Sequence, residues 1–186
     1  RLEASIQSDP RNAYAHIALA ELRRRNGAPA EEVRRILEEA IKISPSEAQP
    51  RLMLIDLALR TRRFKEALAA AQDAAAALPS DGLVLDAVGR AQMEAGDVEQ
   101  AVTTFRRLAG VDANSGLPYT RLADVYLASG RKAGAETALR KAIEVEPGLA
   151  AAQEGLIKLL LSSSRQRDAL ELARGMQTRS PKDPSG

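Results

Sequence analysis

The sequence predicts an all-α protein, an α-solenoid in which pairs of short helices stack in a row. Three observations predict it. Prolines recur at a fixed interval: Pro45 and Pro79 lie 34 residues apart, as do Pro147 and Pro181, and Ala113 holds the beat midway between Pro79 and Pro147. Only the leading interval, Pro10 to Pro45, runs to 35. A period of this length marks stacked copies of one supersecondary unit rather than a single globular core. Within each period the apolar residues recur at helical spacing. Composition agrees: 45% of the 186 residues are apolar but only 3% aromatic, and alanine carries much of the rest, as helices packed through small side chains require.

With each closing proline numbered as position 32, the units run 13–47, 48–81, 82–115, 116–149 and 150–183, the first with one extra residue. Residues 1–12 read as the tail of a preceding unit and 184–186 as the start of a further one, so this chain, of about eleven helices, reads as part of a longer array. The fourth unit shows the pattern best. Tyr119, Leu122, Ala123 and Tyr126 mark one face of a first helix, Ser129-Gly130 breaks it, and Ala135, Leu139 and Ala142 mark the buried face of a second. Pro147 is expected to stop that helix, having no amide hydrogen to donate. The first unit repeats the pattern with Leu19, Ala20, Leu37 and Ala40, and the second with Leu54, Ala67 and Ala74. The third carries Leu85, Val88, Gly89, Ala101 and Phe105, the fifth Leu156, Ala169 and Pro181.

Tyrosine, leucine, alanine, tyrosine, alanine, leucine, alanine and proline at these offsets resemble the tetratricopeptide repeat (TPR) family over essentially the whole chain. The resemblance implies helix-turn-helix units stacked into a right-handed superhelix, with first helices lining a concave face. Small residues at position 20 (Ala67, Ala101, Ala135, Ala169) then let paired backbones approach. Positions 8 and 24 are expected to share a packing layer in which volume is exchanged. Ile55 and Ile157 face Ala71 and Ala173, whereas Ala20, Gly89 and Ala123 face Leu37, Phe105 and Leu139.

Catalytic and metal chemistry find little support. There are no cysteines and one histidine, His16, expected to fill a packing slot at position 4. One histidine without cysteine builds neither a zinc site nor a convincing nucleophilic triad. Acidic pairs such as Glu31-Glu32 and Glu38-Glu39 lie at ion-pair spacing from Arg34, Arg35 and Lys42. No cofactor is implied, and the reading is non-enzymatic. The net charge of +2 gives no polyelectrolyte field, although residues 1–65 hold 13 basic and 9 acidic groups. Basic clusters without interleaved aromatics argue against nucleic acid as a partner. No apolar run reaches the roughly 20 residues of a membrane span, so this segment is not expected to insert.

What the resemblance implies for a ligand is a groove read at positions 2, 5, 9, 12 and 13 of the first helices. Position 9 carries Glu21, Asp56, Arg90, Asp124 and Lys158; position 12 carries Arg24, Leu59, Met93, Leu127 and Leu161; position 13 begins with Arg25 and Arg60. Asp56, Leu59, Arg60, Arg90, Met93, Asp124, Leu127, Lys158 and Leu161 are therefore the expected protein-binding residues, a mixed-charge ladder beside an apolar stripe. Such a stripe fits a protein or peptide with apolar anchors and acidic flanks. Position 5 (Ile17, Leu52, Asp86, Thr120, Glu154) lacks the lysine and asparagine of a chaperone-tail clamp. The three asparagines, Asn12, Asn26 and Asn114, fall at turns, where tolerance of unusual backbone angles is expected to explain them. The alternative is a structural spacer, or a segment that self-associates through exposed array ends.

The closing stretch ALELARGMQTRSPKDPSG also resembles repeat junctions of bacterial TPR lipoproteins of the PEP-CTERM/exosortase system, which serve protein sorting and exopolysaccharide export. Ala173, Gln177, Pro181, Pro184 and Gly186 carry this resemblance. It implies a lipid-anchored, periplasmic full-length protein; without it the reading is cytoplasmic.

Overall fold

A computed structural model describes residues 2–179, with side chains through 175. Pro181, Pro184, Gly186 and the expected repeat start at 184–186 lie outside the described residues. Eleven α-helices and no strands occur among those described. The chain divides into two compact units, Arg1–Val111 and Asp112–Gly186, and the division falls next to Ala113, where the periodic proline is missing.

In the first unit, α1 (Leu2–Ser8) packs on α2 (Ala13–Arg25), and three helix pairs follow. These are α2 with α3 (Ala30–Ile43), α4 (Ala48–Arg60) with α5 (Phe64–Ala77), and α6 (Gly82–Ala95) with α7 (Val98–Val111). Each second helix also packs on the next first helix, α3 on α4 and α5 on α6. The second unit pairs α8 (Leu117–Ala128) with α9 (Lys132–Val145), then α10 (Ala150–Ser162) with α11 (Gln166–Arg179), and α9 also packs on α10.

The small residues sit where close approach needs them. Ala67, Ala101 and Ala135 are fully buried, and Ala169 nearly so. Volume exchange is visible at three of the paired positions. Ile55 and Ala71 share one apolar cluster, Ala20 and Leu37 another. The Phe105 ring lies over Gly89, where a Cβ would stand only 2.5 Å from it. Ile157 and Ala173 are each half-buried.

The turn inside every repeat uses one device. Position 15 is left-handed in all five units, at Gly27, Arg62, Gly96, Gly130 and Ser164. Glycine adopts that conformation without strain; arginine and serine do not. The asparagines act otherwise than expected, since none has a positive φ. Asn12 caps α2 by accepting from the Ala15 amide at 3.0 Å, which satisfies one of the free amides that open any helix.

The periodic proline is not required to end a second helix. α5 and α9 stop two residues before Pro79 and Pro147, and α7 stops two residues before Ala113 with no proline there. Its carbonyl is put to use instead. Arg51 donates to the Pro45 oxygen from Nε and Nη2 (3.2 and 3.0 Å), and Gln153 donates to Pro147 at 2.6 Å. His16 Nε2 lies 3.1 Å from the Pro10 oxygen, so the half-buried His16 ties a junction together. In the third repeat position 4 is Leu85, and Arg107 serves Pro79 at 2.6 Å.

Candidate interaction groove

In the first unit the first helices α2, α4 and α6 line one face. Two adjoining concavities occupy it, of about 410 and 370 Å³. Both are lined by Asp56, Leu59, Arg60 and Arg90. The larger adds Glu21, Arg24, Leu52, Leu83 and Asp86; the smaller adds Arg62, Phe64, Met93 and Glu94. Five of the residues expected from the sequence (Asp56, Leu59, Arg60, Arg90 and Met93) thus share one surface. Each reaches it for the same reason: positions 9, 12 and 13 are neighbours on one helix face at intervals of three and four residues.

Electrostatics divide the groove's cations into two kinds. Glu21 accepts from Arg24 at 2.8 Å and Arg25 at 2.7 Å, and these two bonds lower its carboxyl to about 2. Arg60 donates to Asp56 at 2.6 Å. Arg62 instead lies over the Phe64 ring, 5.7 Å from its centroid, a cation–π placement. No ion pair forms at Arg90 among the described residues. Glu94, four residues on, is exposed and unbridged to it, in the order along a helix that is the weaker one for such a pair.

The second unit presents the remaining expected residues on α8 and α10. Leu127 is 42% and Leu161 50% exposed, unusual for leucines packed only as cover. Lys158 pairs with Glu154 at 3.6 Å. Asp124 is open to solvent on one side; partial desolvation by the surrounding protein raises its carboxyl above the ordinary value, with Arg121 pulling the other way.

Several lining residues lie outside the expected set. Arg62 and Phe64 belong to the turn and the start of α5, and Leu83 opens α6 at position 2 with 69% exposure. The opposite, second-helix face also carries a furrow of about 430 Å³. Leu54, Leu57 and Ala58 of α4 form its floor, between α3 and the alanine-rich α5. Ala69 and Ala70 project too little to fill it, an outcome of side-chain volume on α5 that a repeat alignment does not display. One end is tied by Arg63, which bonds Glu31 across the two helices. Arg165 makes the equivalent tie in the second unit, to Glu136 at 2.7 Å.

Repeated helix pairs define an α-solenoid, a fold consistent with a protein–protein interaction scaffold. The family model for the tetratricopeptide repeat matches residues 1–48, 52–118 and 120–184, and the chain belongs to that family. No curated protein matches the chain. Solved structures share the fold. The chain is similar to MamA, residues 41 to the end, from Desulfovibrio magneticus RS-1 (TM-score 0.70, 14% identity, covering 92% of this chain and 97% of that one). It is also similar to PilW, described as a widely conserved type IV pilus biogenesis factor (0.75, 19%, 98% and 84%). A third is YrrB, described as a TPR protein with an unusual peptide-binding site (0.65, 16%, 98% and 93%). At these identities the likeness concerns the fold alone. That fold is typically non-catalytic and suits protein or peptide partners. No helix among the described residues is long and apolar enough to cross a membrane.

Proposed function

We propose that the chain is a non-enzymatic interaction scaffold that holds a peptide or protein segment against the first-helix face. The observation that carries this is the pair of adjoining concavities floored by Leu59 and rimmed by charge. An apolar floor supplies affinity by desolvation, and the charged rim supplies register and selectivity. On the second unit, taken by itself, the same reading assigns Asp124, Leu127, Lys158 and Leu161 of α8 and α10 to binding. The peptide-binding site described for YrrB is a fold-level parallel for this use. The link to a longer bacterial array in protein sorting or exopolysaccharide export rests on the closing stretch of sequence alone.

The test is selection of a displayed peptide library on the 186-residue chain and on a variant with Leu59, Arg60, Met93, Asp124 and Leu127 changed to alanine. Peptides retained by the parent and lost by the variant support the groove. Each single anchor is expected to contribute about 1–3 kcal/mol. Retention by both would overturn it.

A second reading, self-association, is favoured by Leu170, half exposed on α11 of the last repeat. A mass by light scattering that doubles with concentration, and does so no longer in Leu170→Ser, is its expected signature.

A further inference from the structure

Where the two concavities meet, the groove carries a cation that forms no ion pair among the described residues. Arg90 stands at that waist with Asp56, Leu59 and Arg60, since all four line both cavities. Arg60 is held by Asp56, and Arg24 and Arg25 are held by Glu21. Asp86, further along the larger cavity, has a partner of its own. Arg62 covers an aromatic ring, and Glu94 is exposed on the rim without bridging to Arg90. Arg90 is the waist cation left to a ligand.

Apolar surface lies on both sides of this cation. Leu52 and Leu83 flank it in the larger cavity, Phe64 and Met93 in the smaller, with Leu59 common to both. A guanidinium recognises a carboxylate through paired donors, and the bond gains strength where neighbouring apolar groups exclude water. The order along the groove is therefore apolar, cationic, apolar.

Resting on the groove reading above, we propose that the segment bound there is extended and carries an internal Asp or Glu between two apolar side chains, with Arg90 reading the acid. The acid is a side chain and not a chain terminus, because apolar subsites continue past Arg90 in both directions. Arg90 is thereby the residue that sets specificity, while Leu59, Phe64 and Met93 supply affinity.

The experiment is a synthetic array of ten-residue peptides, acetylated and amidated so that no terminal charge remains. Two leucines flank a central Asp, Glu, Asn, Gln or Lys at varied spacing. Binding is measured by fluorescence anisotropy to the parent chain, to Arg90→Glu, to Arg90→Lys and to Leu59→Ser/Met93→Ser. Helical circular dichroism confirms that each variant folds. The parent is expected to prefer central Asp or Glu over Gln at least tenfold; Arg90→Lys keeps the sign of that preference, and Arg90→Glu reverses it towards Lys. An acid preference unaltered in Arg90→Glu, together with binding lost in the leucine–methionine variant, overturns the role of Arg90 and leaves the groove standing. Binding indifferent to every variant, or no binding by any peptide, overturns the proposal, and indifference to every variant overturns the groove reading with it.

Discussion

The Phe105 ring occupies the space a side chain on Gly89 would need: a Cβ built there falls 2.5 Å from two ring carbons. Glycine at position 8 and phenylalanine at position 24 are therefore one packing decision. Gly89→Ala is expected to destabilise by about 1–3 kcal/mol through overpacking. Adding Phe105→Leu to that variant returns part of the loss, and a double-mutant cycle by urea unfolding gives a non-additive coupling. Additive costs would show the two positions to be independent.

Position 15 offers a stabilising change. Ser164 adopts φ 60, where the equivalent residues of three repeats are glycine. Ser164→Gly removes left-handed strain and is expected to raise stability by about 0.5–1 kcal/mol, while Gly130→Ala lowers it by a similar amount. Arg62 has the same strained backbone but also covers Phe64, so Arg62→Gly gains less. Denaturant midpoints of the three variants check the order.

Thr104 of α7 and Gln92 of α6 form a partly buried polar pair, the threonine hydroxyl donating to the glutamine oxygen at 2.7 Å. Gln92 is 8% exposed, so its oxygen has little access to replacement water. Thr104→Val keeps the shape and removes the donor, with an expected cost of about 1–3 kcal/mol. A cost near zero would place water at the site.

Glu21 makes stability depend on acid. Its carboxyl is lowered from an ordinary 4.5 to about 2 by Arg24 and then Arg25. A lowered carboxyl stabilises the fold above its unfolded value, and the contribution disappears as pH falls from there through about 2. Exposure and salt keep the effect small. Parent and Glu21→Gln are expected to differ at pH 6 and to converge towards pH 2, followed by thermal unfolding in low salt.

The sequence carried the period, the helix pairing, the buried alanines and the Gly89–Phe105 exchange, because each is a statement about volume or spacing at a repeated position. It carried the groove only as far as positions 2, 5, 9, 12 and 13 determine a face. Arg62 and Phe64 escaped because they belong to the turn and the following helix, and reach the groove through backbone geometry. Arg62 and Ser164 hide the left-handed turn for a related reason: only glycine advertises it in a sequence. The furrow over Leu54 and Leu57 arises from what α5 lacks, and the use of proline carbonyls by His16, Arg51 and Gln153 is backbone chemistry that residue types do not reveal.

The central claim is that partners engage the first-helix face. Its most direct test places the photo-cross-linker benzoylphenylalanine in place of Met93 or, on the opposite face, of Ala69, and irradiates the chain with the peptides selected on it. The account predicts adducts at position 93 and none at 69. Adducts at 69 alone would move the binding surface to the furrow between α3 and α5 and contradict it.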